Sequence, residues 1–115
     1  MKSGTPFEQG AIVLIPFPFT DLTTTKKRPV LVLSKTEYNM KSEDFICCGI
    51  TSNPRNVQHS VAIRSRDLSA GRLPKPSRIR VDKVFTLEKS LTIRSLGKVK
   101  SAVFEKVRQE FYQLF

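Results

Sequence analysis

The 115-residue sequence predicts a small, mainly β domain: a twisted barrel with one α-helix packed on it at the C-terminal end. Two observations carry this. Short apolar runs rich in β-branched residues recur as far as Leu96, punctuated by Pro, Gly and Asn. Beyond Lys100 the apolar positions change to helical spacing. A third observation concerns the surface. Residues 55–100 hold twelve Lys/Arg against Asp67, Asp82 and Glu88, so this stretch carries +9 of the chain's net +10. Charge concentrated in this way is the footprint of a polyanion partner, most simply nucleic acid.

The elements follow in order. Ala11-Ile-Val-Leu-Ile15 is a continuous apolar run and reads as a buried strand. Pro16 and Pro18 are expected to end it, since proline cannot donate to a sheet ladder. Residues 19–27 are polar and aperiodic, hence a loop. Residues 29–33 form a second strand and 45–51 a third, followed by the turn signal Ser52-Asn-Pro-Arg55. Val61–Arg64 is a shorter strand, and residues 69–76 are a breaker-rich loop. In Ser77-Arg-Ile-Arg-Val-Asp82 polar and apolar residues alternate, so Ile79 and Val81 face one way and Arg78, Arg80 and Asp82 the other. Residues 91–96 are a last strand, closed by Gly97. Ser101 is placed to cap a helix whose apolar face holds Phe104, Val107, Phe111 and Leu114 or Phe115.

Length and composition fit one globular domain, with 39% hydrophobic and 26% charged residues. No apolar run approaches the roughly 20 residues that span a bilayer, and the start of the chain lacks a leader pattern, so no membrane partner is expected. Cys47 and Cys48 lie in an apolar run where neighbours point to opposite faces. A disulfide between them would distort the backbone, and buried thiols in a reducing cytoplasm are the expectation. One histidine and no spaced cysteine pair speak against a zinc site, and no metal or other cofactor is expected.

Several groups are candidates for chemistry, each with a purely structural alternative. Arg28 precedes Pro29, which holds it extended and suits a phosphate anchor, or simply a surface arginine at a strand start. Thr51 and Ser52 end a strand, where their hydroxyls can serve a phosphate oxyanion or the local turn. Arg80 and Asp82 share a strand face and can meet one phosphodiester. An aspartate among so many cations stays ionised and can take the proton of a ribose 2′-hydroxyl while a guanidinium stabilises the phosphorane. The alternative is a surface ion pair. His59 has nothing nearby in sequence to orient it, and Phe17 and Phe19 can stack on bases or cover an end of the barrel. Phe19, Lys26, Lys27, Arg55, His59, Arg78 and Lys83 are the candidate RNA contacts.

Together these pieces resemble the MazF/PemK-type toxin family, from Gly10 to the C-terminal helix. The resemblance rests on Gly10-Ala-Ile-Val-Leu-Ile15, Lys27-Arg-Pro-Val-Leu-Val-Leu-Ser34, the strand ending Ile50-Thr-Ser52, and Ile79-Arg-Val-Asp82. The stretch 82–91 with Leu96-Gly-Lys98 is similar to the PemK-like branch. It implies an SH3-like β-barrel with a C-terminal helix, a homodimer binding single-stranded RNA across its interface, and a cognate antitoxin that neutralises it. The implied activity is an endoribonuclease, ribosome-independent or ribosome-associated, leaving a 2′,3′-cyclic phosphate and a 5′-hydroxyl. Arg28 then matches the family's Arg-Pro arginine, Thr51 and Ser52 its Thr-Ser pair, and Arg80 and Asp82 its acid and base. With a guanidinium pKa above about 12, Arg80 is better described as a charge stabiliser. The first loop, Leu22-Thr-Thr-Thr-Lys-Lys27, lacks the Gly, Glu or His often found there, and that loop helps select the RNA sequence. Two other classes compete: a basic barrel that binds nucleic acid without cutting it, and a CcdB-type gyrase poison. The latter uses a C-terminal tryptophan, and this chain has no Trp.

Overall fold

The computed structural model describes residues 7–17, 26–53, 55 and 57–115. Seven strands form one curled antiparallel sheet: β1 (Ala11–Phe17), β2 (Lys26–Val32), β3 (Asp44–Thr51), β4 (Ser60–Ile63), β5 (Leu68–Gly71), β6 (Ser77–Glu88) and β7 (Arg94–Val99). Their order is β4-β6-β3-β2-β1-β7-β5. Helix α1 (Thr36–Lys41) joins β2 to β3, and α2 (Ser101–Tyr112) follows β7 and packs against β4 and β6. The mainly β class and the C-terminal helix agree with the sequence.

The central strands are buried on both faces, which is why their sequences are runs rather than alternations. Along β1, Ile12 joins one apolar cluster while Ala11, Val13 and Ile15 join another. The neighbours Cys47 and Cys48 divide in the same way, one into each cluster, and both are free thiols. Burial pushes the Cys47 thiol up to about 12 and raises that of Cys48 as well. The cluster containing Ile79 and Val81 receives Val103 and Val107 from α2, with Phe104, Phe111 and Leu114 packed at its edge. Phe115, in contrast, is exposed.

Four local expectations need correction. First, β1 runs on through Pro16 to Phe17. Pro16 lies past the last β1–β7 pair, Leu14–Arg94, so its missing N–H interrupts no ladder on that side. Second, the expected loop at 69–76 contains most of β5, paired to β7. Third, Gly97 does not close β7 but lies inside it, opposite Gly71, where a Cβ on Gly97 would come 2.4 Å from the Ala70 carbonyl oxygen. Fourth, the α2 cap is Lys100 with no side-chain hydrogen bond, and Ser101 is the first helical residue. The β6 strand also extends beyond Asp82 to Glu88, and the short α1 had no signal in the pattern. Asn39 of α1 is fully buried and donates through Nδ2 to the Phe7 and Ser34 carbonyls, tying the helix to the barrel.

Candidate active site

The pairing of β3 with β6 is broken at one place. Ile50 pairs with Ile79 and Cys48 with Val84, so four β6 residues, Arg80 to Lys83, stand opposite the single residue Gly49. This is a large, irregular β-bulge, the kind of interruption that turns side chains away from a regular ladder. Ile79 and Val81 stay fully buried while Arg80 and Asp82 project outward, as the alternation predicted. The bulge is held from the other side. The Val81 N–H donates to the His59 carbonyl at 3.0 Å, and Ser60 pairs with Arg80.

Across this bulge opens a cleft of about 510 Å³, whose walls include Arg28, Thr51, Arg80, Asp82 and Lys83. Pro29 explains its position. The β2–β3 ladder runs from Val32–Cys47 to Val30–Gly49 and has no recorded pair beyond, where Pro29 offers no N–H. Arg28, held extended by that proline, therefore lies where the two strands are no longer laddered together.

Arg80 grips Asp82 with two parallel hydrogen bonds, Nε to Oδ1 at 3.0 Å and Nη2 to Oδ2 at 2.9 Å. This guanidinium holds the Asp82 carboxyl below its ordinary range, and Lys83 adds to the effect. Reciprocally, the Asp82 hydrogen bonds raise Arg80 above its already high value, so Arg80 is a fixed cation. The Thr51 hydroxyl oxygen accepts the Asn53 N–H at 3.1 Å, which serves the turn yet leaves the hydroxyl proton to donate.

The structure separates residues that are adjacent in sequence. Thr51 faces the Asp82 cleft, while Ser52 lines a second cleft of about 600 Å³ together with Lys27 and Arg28. Arg78 donates from Nε to Ser60 Oγ at 2.8 Å and lines a third hollow, of about 460 Å³, with Ser52. Lys26 and Arg55 are exposed on β2 and in the turn after β3. Phe19 and the side chain of Phe17 lie outside the described residues, as do residues 18–25, while Lys26 and Lys27 of the loop expected at 19–27 belong to β2.

His59 stands at the edge of β4, beside a distant element. Its Nδ1 faces Glu110 of α2 at 3.7 Å, and its backbone adopts φ 57°, the one positive φ outside glycine among the described residues. It lines none of the three clefts described above. The residues that sequence reasoning missed are Val84 and Phe85 on the first cleft and Arg72, Lys75 and Arg94 on the second. The cations were visible as part of the basic stretch, but nothing local told which of its twelve would converge.

The chain is thus a curled, mainly β domain with a guanidinium–carboxylate pair in a basic cleft. Residues 8–115 match the family described as PemK-like, MazF-like toxin of type II toxin-antitoxin system, and the chain belongs to that family. Solved structures share the fold. An endoribonuclease in complex with its cognate antitoxin from a mycobacterial species has TM-score 0.75 and 20% identity, over 92% of this chain and 91% of that one. MazF from Deinococcus radiodurans has TM-score 0.74 and 23% identity, over 93% and 94%. Mycobacterium tuberculosis toxin MazF-mt6 has TM-score 0.73 and 18% identity, over 90% and 93%. No curated protein matches the sequence.

Proposed function

We propose that this toxin is an endoribonuclease that cleaves single-stranded RNA by attack of the ribose 2′-hydroxyl on the adjoining phosphate. One observation carries the reading: the Arg80–Asp82 pair opens onto the same cleft as Arg28 and Thr51. The scissile phosphate enters between Arg28 and Arg80 and competes with Asp82 for the Arg80 N–H groups. As it takes them, the carboxylate loses the partner that depressed its basicity, at the moment the 2′-hydroxyl arrives. Asp82 accepts the 2′ proton, the 2′ oxygen bonds to phosphorus, and the bond to the 5′ oxygen breaks, that oxygen taking a proton from water. Arg28 and Arg80 stabilise the charge on the phosphorane, helped by the Thr51 hydroxyl. The products are a 2′,3′-cyclic phosphate and a 5′-hydroxyl. The nucleophile belongs to the substrate, so the step calls for no metal-activated water.

The partners follow. RNA is the substrate, a cognate antitoxin is the neutralising partner, as for the mycobacterial endoribonuclease above, and the working unit is a homodimer. A binding-only barrel has one observation in its favour, because both Asp82 oxygens are already engaged by Arg80. One experiment separates the two. Purified protein is incubated with single-stranded RNA in excess EDTA, and the fragment ends are analysed. Cleavage is expected, with cyclic-phosphate ends and 5′ ends that accept a kinase label, and a 2′-deoxy substitution at the cut site should abolish it. Intact RNA at micromolar protein would establish the binding-only reading.

A further inference from the structure

Apart from Arg28, the residues of the second cleft have no place in the reaction just described. Its floor is apolar, and its cations are Lys27, Arg28, Arg72, Lys75 and Arg94, with no carboxylate among the described lining residues. Two features fix the backbone that carries Arg72 and Lys75 beside β7. Gly71, at φ 80°, lies so close to β7 that a Cβ there would come 2.0 Å from the Leu96 carbonyl oxygen, which sets Arg72 against the strand bearing Arg94. The loop that follows is anchored by buried Leu73, whose N–H donates to Ser65 Oγ at 2.9 Å and whose carbonyl accepts from that hydroxyl at 3.1 Å. Ser77 Oγ then donates to the Lys75 carbonyl at 3.0 Å.

The two clefts meet. Arg28, Pro29 and Ile50 belong to both, so a chain leaving the Asp82 site past Arg28 enters the second trough directly. We infer that this trough is the flanking subsite for the same RNA strand, with Arg72, Lys75 and Arg94 neutralising successive phosphates. The inference rests on the reading of this toxin as RNA-directed, although not on its cutting RNA. Ammonium and guanidinium groups beside the apolar Leu14, Ile50, Leu73 and Leu96 suit a flexible polyanion whose bases need an apolar surface. An acidic polypeptide would find the same charges, but the wall shared with the Asp82 cleft favours the polymer being processed there.

The test uses the whole protein and non-cleavable 2′-O-methyl oligonucleotides of three and nine residues. Affinity is read by fluorescence anisotropy over a range of salt. Arg72, Lys75 and Arg94 are all exposed, so the triple alanine variant should fold as the parent does. For the nonamer, the slope of log K against log salt should fall by about 2, at roughly 0.7 per lost single-strand phosphate contact. The trimer, filling only the first cleft, should bind both proteins alike. Replacing the exposed Lys41, Lys100 and Lys106 instead removes equal charge elsewhere and should leave the nonamer slope almost unchanged. An unchanged slope in the Arg72/Lys75/Arg94 variant overturns the subsite. So does an equal loss in the Lys41/Lys100/Lys106 control, which would make the effect one of net charge. A variant that loses binding to poly-glutamate but keeps the parental nonamer slope would assign the trough to an acidic protein instead. Because no turnover is needed, a parent that binds the nonamer steeply but never cuts RNA would refute the nuclease reading and leave this one standing.

Discussion

Replacing Asp82 by Asn separates the chemistry from the binding and the folding at one atom. The amide keeps the size of the carboxylate and one carbonyl oxygen for the Arg80 fork, but it cannot take a proton at neutral pH. The pair it replaces has side chains 24% and 34% exposed. In so wet a setting, an ion pair with two hydrogen bonds contributes about 0–1 kcal/mol to folding, so the melting temperature should move little. Loss of a general base costs about 10²–10⁴ in rate, which is about 3–5 kcal/mol of barrier. Binding should be unchanged or tighter, since a neutral amide competes with the phosphate for the Arg80 donors less strongly than the carboxylate does. The assay is single-turnover cleavage of a labelled RNA in EDTA, with anisotropy on the non-cleavable analogue and a thermal melt of the same preparations. Parental cleavage by the variant would remove Asp82 as the base. A rate loss matched by an equal loss of affinity or of stability would make the pair a structural element, and the mechanism above would fail.

Other outcomes follow from the same geometry. Arg80 depresses the free-enzyme pKa of Asp82, so kcat/KM should stay level on the acid side until the pH falls below the ordinary carboxylate value of about 3.9, and an acid limb centred near neutrality would point to another base. The sign for stability is the same: the pair's contribution is present above that ordinary value and is lost as pH falls through the lower folded-state pKa, measurable as a late loss in acid denaturation. Arg28→Ala should lower both RNA affinity and turnover and flatten the salt slope by about 0.7, whereas an unaltered slope would take Arg28 off the phosphate. Gly71→Ala forces a Cβ to 2.0 Å from the Leu96 carbonyl oxygen at φ 80°. It should cost at least about 1–3 kcal/mol in denaturant titration, and parental stability would contradict the close β5–β7 approach. With the Cys47 thiol raised to about 12 by burial and Cys48 raised too, neither should react with a thiol reagent in the native protein, and both should react once it is unfolded.

What the chain determined by itself was everything that depends on near neighbours. Side chains alternate along any strand, so Arg80 and Asp82 had to emerge on the face opposite Ile79 and Val81 wherever β6 came to lie. Proline holds the residue before it extended in every context, so Arg28 had an extended backbone wherever its partner strands came to lie. The run Ala11–Ile15 read as a buried strand, and helical spacing placed Val107, with Phe104, Phe111 and Leu114 beside it, against the barrel while missing the buried Val103. The tertiary structure decided what depends on register between distant segments. Gly49 meeting four residues of β6, Thr51 parting from Ser52, and His59 reaching Glu110 on α2 are all set by pairings across the chain. So is the choice of Arg72, Lys75 and Arg94 from among twelve cations as the wall of one trough, because the Gly71–Gly97 approach that aligns them joins two strands whose contact leaves no local periodicity to read.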